Sequence, residues 1–540
     1  MDPKPLPARP SLEQYKKQAK ELLKAYRSAD VETICRVKRS HPRFEKLAEP
    51  GFEFSKFALA DAQLVIAREH GFDSWPKFTK RIEVINSEAA ARVNPVAAFI
   101  EAAIWHGTLD AAEAILAAHP EIARTSIHVA AILGDDAAVR RLLAANPQNA
   151  FKKEEPYGGD ALVYLCLSNY LRLDKSRSAG FLRAATALLD AGADPNTGFT
   201  AKDEYGDFET ALYGAAGVAH HADLTRLLLE RGADPNDNET FYHTPETYDN
   251  AALKVLVESG KMRRDLVAGM LLRKADWHDY EGIKYLLEHG ANPNLMTRWG
   301  YTALHQALRR DNALRNVEVM LEHGADPAIK TAAAVEAQFM PGLGVNGQKS
   351  GIAIAARRGR ADVLAALERR GIEMEMSGVD RLIAACARND HASVRAMAAG
   401  EPQLVRELLA EGGRLLAEFA GTGNAEGVHL LLELGINVAA LYDGDPYFDI
   451  AKDSTALHVS AWKAWPKTVK LLIERGADVN AQDAKGRTPL MLAVKACVDS
   501  YWTNRRSPES VEALLKTGAS VSGVDYPCGY AEVDALLRKL

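Results

Sequence analysis

Four arrangements in this 540-residue sequence carry residue types that could do chemistry. Gly342-Leu-Gly344-Val-Asn-Gly347, followed by Gln348-Lys349-Ser350, spells a glycine-rich phosphate loop. A dinucleotide cradle needs a strand before its glycines and an acid about 20 residues on, and a P-loop needs Gly directly before Lys. Here the preceding TAAAVEAQFM is helix-like, IAIAARRG follows, and Gln348 breaks the Gly-Lys pair, so the stretch reads as an insertion between units. Asp443, Asp445, Asp449 and Asp453 crowd into YDGDPYFDIAKD, but the glycine and terminal Glu of a calcium loop are misplaced, which predicts a solvated tip. His220 and His221 are adjacent and cannot share a helix face as a metal pair. HExxH and GxSxG are absent from the sequence. No catalytic residue, metal set or cofactor is predicted.

The fourth arrangement is aromatic and cationic. Trp105, Trp277, Trp299, Trp462, Trp465 and Trp502 lie near His106, His278, Arg298, Arg309, Arg310, Tyr501, Arg505 and Arg506. Trp, Tyr and Arg dominate binding hot spots. Guanidinium groups take carboxylates or phosphates bidentately, so the expected ligand carries acidic groups beside an apolar portion.

The elements that must position these residues are repeats. Leu-Leu-x-x-Gly-Ala-Asp/Asn-Pro/Val-Asn recurs as LLDAGADPN (188–196), LLERGADPN (228–236), LLEHGANPN (286–294) and, slightly altered, LIERGADVN (472–480). Near copies end close to 328, 439 and 521. A second phrase precedes several of them: YTALHQA (301–307), STALHVSA (454–461), RTPLMLA (487–493) and ETALYGAA (209–216). Thr302, Thr455 and Thr488 can cap a first helix, and Pro489 suits its first turn. The Leu pairs form the core stripe of a second helix, which a left-handed Gly232, Gly290 or Gly476 ends. No such unit buries its apolar face alone, so neighbours must stack.

These phrases resemble ankyrin repeats. The resemblance implies an all-α solenoid of paired antiparallel helices with short β-hairpin fingers, about twelve units over 94–524. It also makes His128, His305 and His458 the structural histidines that tie neighbouring units. In such a fold Trp105, Trp277 and Trp462 fall near first-helix ends, Trp299 in a finger, Trp465 in an inter-helix turn and Trp502 in an insertion. The expected binding surface is therefore the concave face or its rim: Trp105, Trp277, His278, Arg298, Trp299, Arg309, Arg310, Asp443, Asp445, Trp462, Trp465, Tyr501, Trp502, Arg505 and Arg506.

Residues 1–93 lack the repeat phrase and read as a helical module. Ser11 and Gln14 form a capping box, and Leu12, Tyr15, Ala19, Leu22, Leu23 and Tyr26 share one face. LADAQLVIAREHGFDSWPKF resembles a module found ahead of repeats in bacterial ankyrin-repeat proteins. Residues 525–540 read as a capping helix. Residues 1–95 hold 18 Lys/Arg against 13 Asp/Glu, which leaves −11 for the rest of a chain of net charge −6. Lys16, Lys20 and Lys24 line a solvated face rather than a nucleic-acid arm. Hydrophobic content of 47% fits a folded chain, and five scattered cysteines exclude a disulfide framework and suit a reducing cytosol. There is no signal-like apolar segment and no membrane-length apolar run. The sequence thus predicts a cytoplasmic scaffold or adaptor that binds a protein partner, acidic peptide or small ligand in its concave groove, with an enzyme or small-ligand site in the same groove as the alternative.

Overall fold

The computed structural model describes residues 3–44, 57–202, 206–332, 348–500 and 503–539. The glycine run 342–347, Tyr501 and Trp502 lie outside the described residues. The chain divides into two compact units, residues 1–262 and 263–540. No helix among the described residues is long and apolar enough to cross a membrane.

The first unit opens with helices Leu12–Arg27, Val31–Ser40, Leu59–Glu69 and Trp75–Ala91. Ser11 accepts the Gln14 N–H at 3.2 Å, and the apolar stripe of the first helix buries Tyr15, Ala19, Leu22 and Tyr26 against Phe57, Val65, Ile66 and Phe78. Glu69 pins this core, taking Arg36 through two bonds of 2.5 and 2.8 Å and Lys4 at 2.8 Å. Helix pairs follow as far as Ala251–Glu258. One finger of this unit pairs as a true hairpin, Gly198–Thr200 antiparallel to Phe208–Thr210 with Phe199 opposite Glu209.

The second unit stacks seven described helix pairs, with first helices packing on first helices and second on second except around Val379–Gly400, where Val379–Ala387 packs on the second helix Ala425–Glu433. The first helices are Arg264–Asp276, Ala303–Arg309, Gly351–Arg357, Val379–Ala387, Gly412–Thr422, Ala456–Trp462 and Pro489–Val498. We call these the inner row. Helix Ala531–Leu537 ends the described chain.

Side chains fix each unit locally and to the next. His305 Nδ1 accepts the Thr302 N–H at 3.1 Å, and its Nε2 faces the Ile329 carbonyl at 3.0 Å. That pairing assigns the proton to Nε2. His458 does the same with Thr455, Ala481 and Arg487, and His128 reaches the Lys152 carbonyl. Burial lowers the His305 imidazole to about 4, so it stays neutral. The Asn closing each Leu-Leu-x-x-Gly phrase links repeats as well as shaping its own turn. Asn294 donates to the Gly324 carbonyl and accepts the Asp326 N–H, both at 2.7 Å, and Asn196 and Asn480 repeat the pattern.

The fingers depart from expectation. Among the described residues only the 198–210 finger forms two paired strands. The finger at Thr297–Tyr301 is too short for a ladder and closes through one N–H of Thr297 and its hydroxyl, both donated to the Tyr301 carbonyl.

Candidate functional site

Each inner helix of the second unit from the first to the sixth ends in a turn with a positive φ one or two residues past the helix: His278 53°, Asp311 52°, Gly359 66°, Asn389 62°, Gly423 78° and Ala464 55°. Left-handed backbone suits Gly best, then Asn and Asp, so His278 and Ala464 hold strain there. Two of the glycines are required by contact as well. A Cβ at Gly359 would meet the Phe419 ring at 2.6 Å, and one at Gly423 would overlap the Trp465 ring.

The residue before the left-handed position is a cation in four of these turns; Arg388 is exposed, and Arg310, Arg358 and Lys463 bind inside the unit. The Asp311 carboxylate accepts Arg358 Nε at 2.6 Å and Nη2 at 2.7 Å, and Lys463 Nζ at 2.5 Å. Arg358 Nη1 also reaches Glu418 at 2.7 Å. Buried ions cost several kcal/mol each unless paired. Burial pushes the Asp311 carboxyl up, but Arg358 and Lys463 more than offset this and hold it well below the ordinary range. For Glu418 burial wins over Arg358, and its carboxyl is raised. A second cluster forms on Asp276, which takes Arg273 at 2.5 Å and Arg310 at 2.8 Å.

The loop Tyr442–Ile450 closes over these clusters. The Tyr447 hydroxyl donates to the Asp276 carbonyl at 2.6 Å across 171 residues, and its ring lies 3.3 Å from the Arg310 guanidinium. Phe448 faces the Lys463 ammonium at 3.5 Å, and its carbonyl accepts the Trp462 indole N–H at 2.5 Å. The expected solvated tip is therefore corrected in part. Asp443 is exposed, but Asp445 is half-buried and caps the turn at Tyr447, and Asp449 binds Lys485, Arg487 and Lys495. Cations from the next repeat draw this acidic segment inward.

The residues expected to bind are dispersed. Trp105 lies in the first unit, edge-on to Tyr157 and Phe199 at 5.2 and 5.4 Å. Trp462 is 3% exposed and packs with Tyr442, Phe448 and Leu492, so its ring faces the unit's own core and not the surface expected to bind. Trp277 and His278 are half-buried at the first inner turn; burial lowers His278 to about 4, with Asp311 opposing and Lys463 adding to the shift. Arg309 is half-buried beside Gln306. Arg298 stacks over Trp299 at 4.9 Å on an outlying finger. Arg506 Nη2 is turned to the Ser500 carbonyl at 2.8 Å.

Trp465 and Arg505 line a cavity. It measures about 560 Å³ and is ringed by the inter-helix turns of five consecutive repeats, Asp311–Leu314, Gly359–Asp362, Asn389, Gly421–Glu426 and Lys463–Lys467, with Arg505 from the last insertion. The Trp465 indole N–H donates to the Gly421 carbonyl at 2.8 Å, and the Arg505 guanidinium lies 4.1 Å over its ring. Sequence reading missed Asp311, Arg358, Arg360, Glu418 and Lys463. Aligning the repeats on the left-handed residue places Arg310, Arg358, Arg388 and Lys463 in register, a signal that does not separate exposed Arg388 from the three that are held inside.

The comparisons define the class. Models of ankyrin repeats match residues 271–319 and 382–525, and the chain is an all-α repeat protein. It is 33% identical over 134 residues to protein glp-1 of Caenorhabditis elegans and 28% over 183 residues to the ankyrin repeat domain-containing protein SAT10 of Stachybotrys chartarum. It is 31% identical over 125 residues to an ankyrin repeat protein of Rickettsia bellii. These matches take 23%, 32% and 20% of this chain and span 10%, 8% and 49% of those relatives. Among the described residues no group of three His, Cys, Asp or Glu side chains could hold a metal.

Proposed function

We propose that the chain is a non-catalytic scaffold or adaptor that grips a protein partner through its repeats, on the finger side. One observation carries this narrowing of the expected concave surface: the second unit fills its own inner face with Tyr442–Ile450, which leaves the fingers to a partner. On the finger at 294–301, Met296 is 38% exposed beside Arg298 stacked on Trp299. An apolar anchor flanked by a guanidinium suits an acidic peptide segment with a hydrophobic side chain. Five described helix pairs in the first unit and seven in the second support a reading of about twelve repeats behind a module at 1–93. Helix Ala531–Leu537 supports the reading of 525–540 as a cap. Five unpaired cysteines support a reducing, cytosolic setting, and the likeness to the Rickettsia protein supports a bacterial one.

Affinity capture from the native source with the intact chain tests the reading. A discrete protein retained by the wild type should be lost from Met296→Ala/Trp299→Ala while the melting temperature stays within a degree or so. Equal retention by both, or no specific species, overturns it.

A further inference from the structure

We propose that the cavity ringed by the inter-helix turns of the second unit binds a small phosphate monoester that also carries hydroxyl groups. This site is separate from the fingers and independent of any protein partner. Three observations carry the assignment.

The first is backbone polarity. Helices Leu314–Glu322, Ala361–Arg369 and Pro466–Glu474, nine residues each, all begin on this cavity, at Ala313, Arg360 and Trp465, and none of these residues supplies a capping side chain. Helix Ala425–Glu433 begins there too, capped by Asn424. Helix N-termini present N–H donors and the positive end of the dipole, so their convergence favours an anion.

The second is a buried cation with an unused donor. The Arg360 side chain is 6% exposed and grips Asp362 with Nε and Nη2 at 2.8 Å each, while its Nη1 is buried with no partner. A buried guanidinium N–H without an acceptor is costly, and a ligand oxygen would satisfy it. Lys467 and Arg505 line the same cavity. Burial, with Arg360 adding repulsion against the pull of Asp311, pushes Arg505 down to about 10. Of the three lining carboxylates, Asp311 is neutralised by Arg358 and Lys463, Asp362 by Arg360, and Glu426 is exposed.

The third is an unused acceptor. Asn389, held at φ 62° on the rim of the cavity, has a buried Oδ1 without a partner. The ionised phosphate group of a monoester offers it no donor, whereas a hydroxyl on the same ligand does. The volume is within the range of small-ligand sites, about 300–1,000 Å³, and exceeds what a lone phosphate needs.

Isothermal titration of the full chain with ribose 5-phosphate, inorganic phosphate and ribose reads each part. Saturable binding of ribose 5-phosphate at least tenfold tighter than inorganic phosphate, with none for ribose, is the expected result. Lys467→Ala, on an exposed side chain whose loss leaves folding intact, should weaken binding about tenfold, and Arg360→Gln by more. Absence of binding by all three probes at millimolar concentration overturns the proposal. So does binding that both variants leave unchanged, and so does equal affinity for inorganic phosphate and the ester.

Discussion

Asp311 occupies a left-handed position that glycine fills in two of the six inner turns, and it ties three inner turns together. Removing its charge leaves Lys463 and Arg358 buried with Glu418 alone, and breaking a buried pair costs about 3–5 kcal/mol. Asp311→Asn should therefore destabilise the second unit by about that amount, read by urea unfolding. Because the folded carboxyl lies well below its ordinary value of 3.8, its contribution is complete above that pH and is lost as pH falls below it. The wild type should lose stability from about pH 4 downward, and the variant's profile should be flatter there. His243 in the first unit titrates in the opposite sense. Burial pulls its imidazole down, but Glu239 at 3.1 Å and Glu246 at 3.0 Å raise it to about 9. Its stabilisation is full below the ordinary value of 6.5 and fades as pH rises through about 9. The melting-temperature gap between wild type and His243→Gln should thus shrink from pH 6.5 to pH 9.5.

At the scale of the element, the Asn links and glycine turns set how one helix pair meets the next. Asn480 donates to the Gly518 carbonyl at 3.3 Å and accepts the Ser520 N–H at 2.7 Å. Two partly exposed hydrogen bonds contribute about 1–2 kcal/mol together, so Asn480→Ala should lower the urea midpoint by that equivalent. Gly423→Ala should cost more, because it combines a left-handed backbone with overlap on the Trp465 ring. The element scale is also where the sequence was most legible. Thr488 caps with its hydroxyl as its phrase requires, while at Thr302 and Thr455 the imidazoles of His305 and His458 accept the Thr N–H instead, and Gly232, Gly290 and Gly476 turn left-handed where the second helix ends. These features depend on residues three or four positions apart and leave a periodic mark. The pairing of Asp311 with Lys463 spans 152 residues and leaves none. For the same reason the inward turn of Tyr442–Ile450 was unreadable: it lies between the fifth and sixth helix pairs of the unit, whereas its partners Asp276 and Arg310 belong to the first and second. Trp462 broke the repeat pattern as a binding aromatic would, yet the pattern break marks a core that only the returning loop creates.

On the scale of the whole molecule, the second unit departs from the nearest-neighbour rule of repeat arrays. Tyr447 and Lys463 reach turns several repeats away, and Arg358 reaches Glu418 two repeats on. Local opening should then be shared across the unit. Tyr447→Ala should raise amide exchange in Ala303–Arg309 as well as in 442–450, by a similar factor in both. Exchange confined to the loop would show that the closure carries no coupling.

That closure also fixes the number of repeats. In an open array a repeat can be gained or lost between its neighbours at the expense of one interface. Here the distance from Asp311 to Lys463 is set by how many turns lie between them, so deleting Val379–Gly400 would carry the ammonium past its carboxylate and Tyr447 past Asp276. The second unit therefore counts: its length is a structural constant, and duplication or loss of a unit, the ordinary route by which repeat proteins lengthen and shorten, is closed to it between residues 276 and 463.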